Sequence, residues 1–196
     1  MVKLRSMIIN ADKSGVDSTS ASDNRITSLG RFIRKYKLDE ITQLWNVFVG
    51  DMSLVGPRPN VKRETDLYTQ EERILLHTKP GITDIASIVF ADEGDILNGQ
   101  KDPDIAYNQL IRPGKSYLGI FYVKHQSLFL DIQLIFYTIT LIFSRERALK
   151  KINTLLKKLN ADKQIIRLAS RKFPLIPMPP PGSSRIVTSR DGNPYI

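Results

Sequence analysis

The sequence predicts an α+β domain that is mostly helical, with a few short strands. Apolar residues recur at the helical spacing of three and four positions through residues 29–36 and again through 38–48. A long apolar run at 128–143 continues the helical character, whereas only residues 83–90 have the composition of a strand. A chain of 196 residues is long enough to bury a substantial core of its own.

Turn and capping signals mark the boundaries of these elements. Gly50 is placed to end the second helix. The GPRP sequence at 56–59 cannot continue a helix, and we expect a short strand around this loop. Thr69 and Glu72 have the spacing of a capping box, which predicts that a helix begins there. Proline and glycine at the centre of KPGI, residues 79–82, predict a tight turn of type II.

Charge is distributed unevenly along the chain and suggests three parts. We predict a catalytic core at 1–145, a basic amphipathic helical segment at 146–172 and a proline-rich flexible tail at 173–196. Most of the net charge of +9 lies in residues 145–172, with 10 basic and two acidic side chains, while the residues before 145 carry 17 of each. A neutral core argues against a nucleic-acid-binding protein. A basic amphipathic helix is typical of contact with an anionic membrane surface or a partner.

The apolar run LFLDIQLIFYTITLIF at 128–143 has two open interpretations. Its uninterrupted part, 134–143, is too short to span a bilayer. The run is therefore either a buried core helix or an amphipathic helix lying in the plane of a membrane. Exposed apolar helices could also pair with one another in a homo-oligomer. Trp45 lies on the apolar stripe of the 38–48 helix and is expected in the core.

The composition excludes several kinds of chemistry. The chain contains no cysteine, which rules out disulfides, thiolate nucleophiles and cysteine-ligated metals. Its two histidines, His77 and His125, are too few for a multi-histidine metal site and lack the context of a catalytic triad.

Five polar residues are candidates for a functional site. Asp39 and Glu40 begin the second predicted helix, where unpaired N–H groups keep carboxylates ionised and suited to nucleophilic attack or to holding a divalent cation. Arg58 stands between two prolines, which stiffen the loop and favour phosphate binding. Arg34 lies at the end of the preceding helix and is a candidate phosphate ligand like Arg58. Asp51 could pair with either arginine, and we include it among the candidate phosphate- or substrate-binding residues. Each also has an ordinary structural interpretation: helix capping for the carboxylates, a solvated surface for the arginines and a turn for Asp51.

The segment LDEITQLWNVFVGDMSLVGPRP, residues 38–59, strongly resembles the signature block of bacterial sugar transferases, the monotopic polyprenol-phosphate phosphoglycosyl transferases. The resemblance extends to KLRSM at 3–7, RITSLGRFIRK at 25–35, KPGIT at 79–83 and SLFLDIQLIFYT at 127–138. It therefore covers the whole neutral core.

The resemblance implies an enzyme that transfers a phosphosugar from a UDP-sugar to polyprenol phosphate and thereby initiates glycan synthesis. Asp39 would attack the β-phosphate, UMP would leave, and an aspartyl-phosphosugar intermediate would pass its phosphosugar to the lipid. Glu40 would help to hold Mg²⁺ together with Asp39, and Arg34 and Arg58 would bind phosphate. The expected location is the cytoplasmic face of the bacterial inner membrane.

This chain is expected to depart from the family pattern in two places, which bear on whether it is active and on which sugar it transfers. Family members carry a hydrophobic membrane segment before the block that KLRSM matches, and we expect this chain to lack it. The alternative to an active enzyme is therefore a truncated, non-catalytic remnant that associates peripherally with membranes. Many members also continue GITGWAQVxGR after the KPGIT turn, where this chain has GITDIASIVFADEG at 81–94, so the sugar is left open.

Overall fold

The computed structural model describes residues 4–11, 18–20, 22–35, 38–60 and 62–189, without the side chains of Lys35, Asp39, Glu40 and Arg63. The described helices, in chain order, are α1 (Ser28–Lys35), α2 (Leu38–Ile41), α3 (Gln43–Phe48), α4 (Lys62–Thr65), α5 (Ile85–Val89), α6 (Glu93–Ile96), α7 (Pro103–Ala106), α8 (Arg112–His125), α9 (Leu128–Phe143), α10 (Arg145–Lys158) and α11 (Lys163–Ser170). A 3₁₀ helix spans Glu72–His77, and a π-helical turn, Tyr107–Ile111, joins α7 to α8. The strands are β1 (Ser53–Val55) and β2 (Gly81–Thr83).

Helices α5, α8, α9 and α10 surround the hydrophobic core. Helix α8 contacts α5 and α11, while α10 contacts α9, α11 and α5. The core side chains that are almost completely buried include Ile85, Ile88, Leu118, Leu134, Ile152 and Leu156. The predicted fold class, a mostly helical α+β domain with few strands, is confirmed.

The two strands form a parallel pair, with Ser53 opposite Gly81 and Val55 opposite Thr83. The backbones approach closely at Gly56 and Gly81, because a Cβ on Gly81 would lie 2.1 Å from the Gly56 nitrogen. The strand expected around the GPRP loop is thus present as β1. The predicted type II turn is wrong, since Gly81 does not take the left-handed φ of that turn and instead begins β2.

Residues 83–90 are not the predicted strand. Only Thr83 belongs to β2, and the apolar residues that follow form α5. The Asp84 side chain caps this helix by accepting from the Ser87 N–H at 2.7 Å. An element buried on every side shows no alternation of polar and apolar residues, so its sequence does not distinguish a strand from a helix.

Helix α3 turns the predicted apolar stripe outward. Trp45 is 60% exposed and Phe48 is 81% exposed, whereas Gln43 and Asn46 are buried. The prediction that Trp45 belongs to the core is therefore wrong. Helix α3 packs against β1 with its amide face, which leaves the aromatic face unpartnered among the described residues.

Helix α9 combines both interpretations of the apolar run. Leu130 and Leu134 face the core, while the opposite face is apolar and exposed, with Phe136 at 61% and Phe143 at 81%. Ser127 caps its first turn by accepting from the Leu130 N–H. Within the described residues, no helix combines the length and hydropathy needed to cross a bilayer.

Helices α10 and α11 pack onto the core. The apolar stripe of α10 is buried at Ala148, Ile152 and Leu156, and its lysines face outward. Asp92, beside α6, forms ion pairs with Arg145 and Arg171, each at 2.9 Å, and accepts a hydrogen bond from Arg171. One carboxylate therefore ties both C-terminal helices to the core.

The described part of the proline-rich tail, residues 173–189, forms hydrogen bonds with the rest of the domain. The Pro181 carbonyl accepts from the Thr69 hydroxyl at 2.6 Å, and the Val187 carbonyl accepts from the Gln109 amide at 2.6 Å. Val187 is only 4% exposed. These contacts hold the tail against the capping box and the π-helical turn.

Candidate functional site

Asp39 and Glu40 lie in α2, a single short turn that contacts both α1 and α3. The chain therefore places the two predicted carboxylates between the helix that carries Arg34 and the helix that leads to β1. Their side chains are outside the described residues, so their predicted contacts with metal and phosphate stay predictions. Among the side chains that the structure describes, no three histidines or carboxylates converge as a metal site.

Arg34 is half-buried at the end of α1, where its Nε donates to the Ser6 hydroxyl at 2.9 Å. It borders an open groove of about 500 Å³ whose other walls come from residues 4–11. The pKa of Asp23 is lowered, mainly by the hydrogen bond from Arg25, and the positive charge of Arg34 acts in the same direction. The N-terminal segment thus fixes the orientation of this predicted phosphate ligand.

Arg58 follows β1 on the GPRP loop, where it is half-buried. It lines a second cavity, of about 200 Å³, together with the flanking Pro57 and Pro59. Its charge acts on the buried Asp84 across this cavity. Arg34 and Arg58 therefore border different depressions of the surface.

Asp51 occupies the turn between α3 and β1. Its side chain is exposed, and its backbone N–H donates to the Asn46 carbonyl at 2.8 Å. Gly50 just before it has a φ of +86°, which favours glycine and ends α3. The geometry therefore accounts for Asp51 as a turn residue, and a role in substrate binding stays a prediction.

The wall opposite the GPRP loop is formed by α8, which contributes two cations that sequence reasoning missed. Arg112 is 1% exposed and donates to Glu72 at 2.6 Å and to the Leu67 carbonyl at 2.7 Å. Lys115 pairs with Glu93. Nothing in the local sequence singles out either residue, because their partners are 40 and 22 positions away.

Burial raises the pKa of Asp84, Tyr68 and Tyr107, which all line this cavity. Burial raises the pKa of Asp84, while hydrogen bonds from Ser87 and the charges of Lys115 and Arg58 partly oppose this effect. Burial also raises the pKa of Tyr68 to about 12, although the hydrogen bond from Asn60 to its hydroxyl, at 2.7 Å, acts the other way. The Tyr68 hydroxyl therefore stays protonated at neutral pH.

Comparison with known proteins gives consistent matches. The chain matches the bacterial sugar transferase family over residues 1–145. It is 38% identical over 127 residues to the UDP-galactose-lipid carrier transferase of Erwinia amylovora, covering 65% of this chain and 23% of that protein. It is 39% identical over 127 residues to the undecaprenyl-phosphate galactose phosphotransferase of Salmonella typhimurium, with the same coverage of 65% and 23%.

A third relative is the undecaprenyl-phosphate glucose phosphotransferase of Komagataeibacter xylinus. It is 37% identical over an alignment of 151 residues, and the match covers 73% of this chain and 26% of that protein. The chain thus spans only about a quarter of the length of these relatives. The family match nevertheless includes the whole 38–59 block and extends over most of the chain. The chain therefore belongs to the bacterial sugar transferase family.

Proposed function

We propose that this chain transfers a phosphosugar from a UDP-sugar to polyprenol phosphate, releases UMP and so initiates the assembly of a glycan. The observation that carries the proposal is the family match over residues 1–145, which contains the Asp39–Glu40 pair and the Arg58 loop. One relative is named a UDP-galactose-lipid carrier transferase and another an undecaprenyl-phosphate galactose phosphotransferase, which supports a UDP-sugar donor and a lipid phosphate acceptor.

The proposed reaction has two displacements at phosphorus. A carboxylate oxygen of Asp39 attacks the β-phosphorus of the UDP-sugar, and the bond to the leaving UMP breaks. A phosphate oxygen of the lipid then attacks the same phosphorus, the new bond carries the phosphosugar to the lipid, and the Asp39 carboxylate is regenerated. A carboxylate nucleophile divides one difficult displacement into two easier ones, and Arg34 and Arg58 would bind the phosphate oxygens.

The donor set near the proposed nucleophile fits Mg²⁺. The ion is commonly held by one or two carboxylates, with water and substrate phosphates completing its coordination. Glu40 and Asp39 offer two such carboxylates on adjacent residues of α2. When bound there, Mg²⁺ would neutralise charge on the phosphate oxygens.

The exposed apolar surface supports binding of the protein to a membrane surface. Helices α3 and α9 both contact β1, whose Leu54 is 44% exposed, so the two apolar faces flank one strand. The basic outer face of α10, which follows directly on α9, would favour anionic headgroups. We place the protein at the cytoplasmic face of the bacterial inner membrane, where its lipid acceptor would reach the site from the bilayer.

The test compares the wild-type chain with Asp39→Asn and with a control, Asp66→Asn, whose carboxylate pairs with Lys62 on the surface. UMP release would be measured with a panel of UDP-sugars, Mg²⁺ and membranes containing polyprenol phosphate. We expect loss of UMP release in Asp39→Asn alone. Equal turnover by Asp39→Asn and the wild type would overturn the mechanism, and vesicle binding by an inactive wild-type chain would favour the non-catalytic remnant.

A further inference from the structure

The described part of the tail contacts two segments that are far apart in the sequence, and both segments form walls of the cavity beside Arg58. One is the capping box, which directly follows Tyr68, and the other is the π-helical turn that begins at Tyr107. Both tyrosines line the cavity. The tail lies beyond residue 145, where the family match ends, so the proposed chemistry assigns no role to these contacts.

The π-helical turn binds the tail at Gln109. In an α-helix the Gln109 carbonyl would accept from the N–H four residues later, but that residue is Pro113, which has no N–H. The Met178 N–H donates to this carbonyl at 3.1 Å, and the Gln109 side-chain amide donates to the Val187 carbonyl at 2.6 Å. The tail therefore supplies a donor that the proline lacks.

The capping box binds the tail at Thr69. Its hydroxyl accepts from the Glu72 N–H at 2.9 Å and donates its own proton to the Pro181 carbonyl at 2.6 Å. Thr69 is only 3% exposed, and Pro181 is buried as well. One buried hydroxyl thus connects the start of the 3₁₀ segment to the tail.

The tail reaches Thr69 through a tight turn. The Ser183 N–H donates to the Pro180 carbonyl at 3.1 Å, and Gly182 has a φ of +76°, which the third position of a type II turn requires. A Cβ on Gly182 would lie 3.1 Å from the Glu71 side chain. The turn therefore fits closely against the 3₁₀ segment.

We propose that residues 178–187 form a strap that holds the two walls of the cavity in position, and that docking of this strap is coupled to binding of the donor. A donor that contacts both walls binds less tightly when the strap is released. By reciprocity, binding of the donor strengthens docking of the strap. The inference deepens the proposed function and rests on it only in that Arg58 binds a phosphate of the UDP-sugar.

The experiment releases the strap by a substitution at Gly182 and uses Gly99 as the matched control. The two glycines have φ values of +76° and +77°, so a substitution strains both backbones alike, but a Cβ on Gly99 would have no atom of the described residues within 4 Å. Gly182→Asp places a carboxylate beside that of Glu71, whereas Gly99→Asp adds the same group in open space. Hydrogen exchange would be followed in the full chain at the N–H groups of the strap and of both walls, with and without UDP-sugar. Calorimetry would measure donor affinity, and thermal melting would check folding.

We expect saturating UDP-sugar to slow exchange of the Met178 N–H in the wild type by at least about fivefold, which is the low end of the usual coupling between two sites. In Gly182→Asp the strap and both walls should exchange faster, and donor affinity should fall by at least about the same factor. Gly99→Asp should behave like the wild type. Adding Glu71→Lys to Gly182→Asp should restore both exchange and affinity, because the two side chains then attract each other.

Two results would overturn the inference. One is an unchanged exchange rate of the strap when UDP-sugar is bound, which is expected of a tail that only stabilises the fold. The other is a released strap in Gly182→Asp with wild-type exchange in the two walls. If Gly182→Asp does not fold or leaves the strap docked, Gln109→Ala supplies the same test, because it removes the hydrogen bond to Val187.

The outcomes separate this inference from the proposed function. A wild-type chain that releases UMP while its strap does not respond to UDP-sugar keeps the function and loses the inference. A wild-type chain whose strap responds to UDP-sugar as expected, but which releases no UMP, keeps the inference and loses the function. A wild-type chain that does not bind UDP-sugar loses both.

Discussion

Arg112 donates from Nη2 to Glu72 Oε2 at 2.6 Å, and both side chains are almost fully excluded from solvent. The second carboxylate oxygen accepts from the Ser116 hydroxyl at 2.6 Å, and the Thr69 N–H donates to Oε2 at 3.0 Å. One carboxylate thus completes a capping box and neutralises a buried cation on α8. The pair holds the 3₁₀ segment against the wall of the cavity beside Arg58.

Removing the charge of Glu72 should destabilise the fold strongly. Glu72→Gln leaves the Arg112 charge buried without its counterion, and breaking a buried pair in this way costs about 3–5 kcal/mol. Chemical denaturation would measure the loss in the free energy of unfolding. Glu71→Gln, at an exposed neighbouring position, is the control and should stay within about 0.5 kcal/mol of the wild type. Equal stability of the two variants would contradict the proposed role of the pair.

The raised pKa of Asp84 predicts that ionisation of this side chain destabilises the fold, which is the opposite of the usual effect of an acidic residue. Burial raises its pKa above the ordinary value of 3.8, so the folded chain binds this proton more tightly than the unfolded chain does. The contribution of Asp84 to the free energy of unfolding must therefore fall as the pH rises above 3.8. Asp84→Asn keeps an oxygen for the Ser87 N–H but cannot ionise, so its stability relative to the wild type should rise over this interval. Parallel pH profiles of the two proteins would contradict the prediction.

The lowered pKa of Asp23 predicts the opposite dependence of stability on pH. The pKa of Asp23 is lowered from 3.8, principally by the hydrogen bond from Arg25. Ionised Asp23 therefore stabilises the fold fully above pH 3.8, and this stabilisation is lost as the pH falls through the pKa of the folded state. Asp23→Asn should therefore be less stable than the wild type at neutral pH, and the difference should shrink in acid. Denaturation at several pH values would test the sign, and a difference that grew in acid would refute it.

The sequence determined those features that depend on neighbouring residues. The capping box was predicted because Thr69 and Glu72 are three residues apart, and the structure confirms both of its hydrogen bonds, at 3.0 and 2.9 Å. The amphipathic helix after Ser144 was recognisable because its apolar positions recur with helical spacing. Local signals of this kind require no knowledge of the tertiary fold.

Features that depend on distant partners could not be predicted in the same way. Trp45 was expected in the core because it lies on an apolar stripe, but the stripe of α3 faces outward and Gln43 faces inward. The burial of the Arg112 cation could not be predicted, because its counterion Glu72 is 40 positions away in the sequence. The predicted roles of Asp39 and Glu40 came from a resemblance, and their side chains lie outside the described residues.

Contacts made by the tail predict that part of it contributes to stability. Val187 is 4% exposed, whereas the adjacent Ile186 is 40% exposed. Val187→Asp should lower the melting temperature by several degrees, because it forces a charge into a buried apolar site. Ile186→Asp places the same charge in solvent and should leave the melting temperature nearly unchanged. Equal melting temperatures for the two variants would show that the tail does not stabilise the domain.

The outer face of α9 predicts a specific loss of membrane binding. Phe136 is 61% exposed, so Phe136→Glu should leave the melting temperature unchanged. If this face enters the interface, removing one buried phenylalanine costs about 1.5–3 kcal/mol, and binding to anionic vesicles should weaken by about tenfold or more. Ile176→Glu, at a position in the tail that is 72% exposed, makes the matched change outside α9 and should bind like the wild type. Cosedimentation with vesicles would measure the effect, and equal binding by both variants would exclude α9 from the membrane contact.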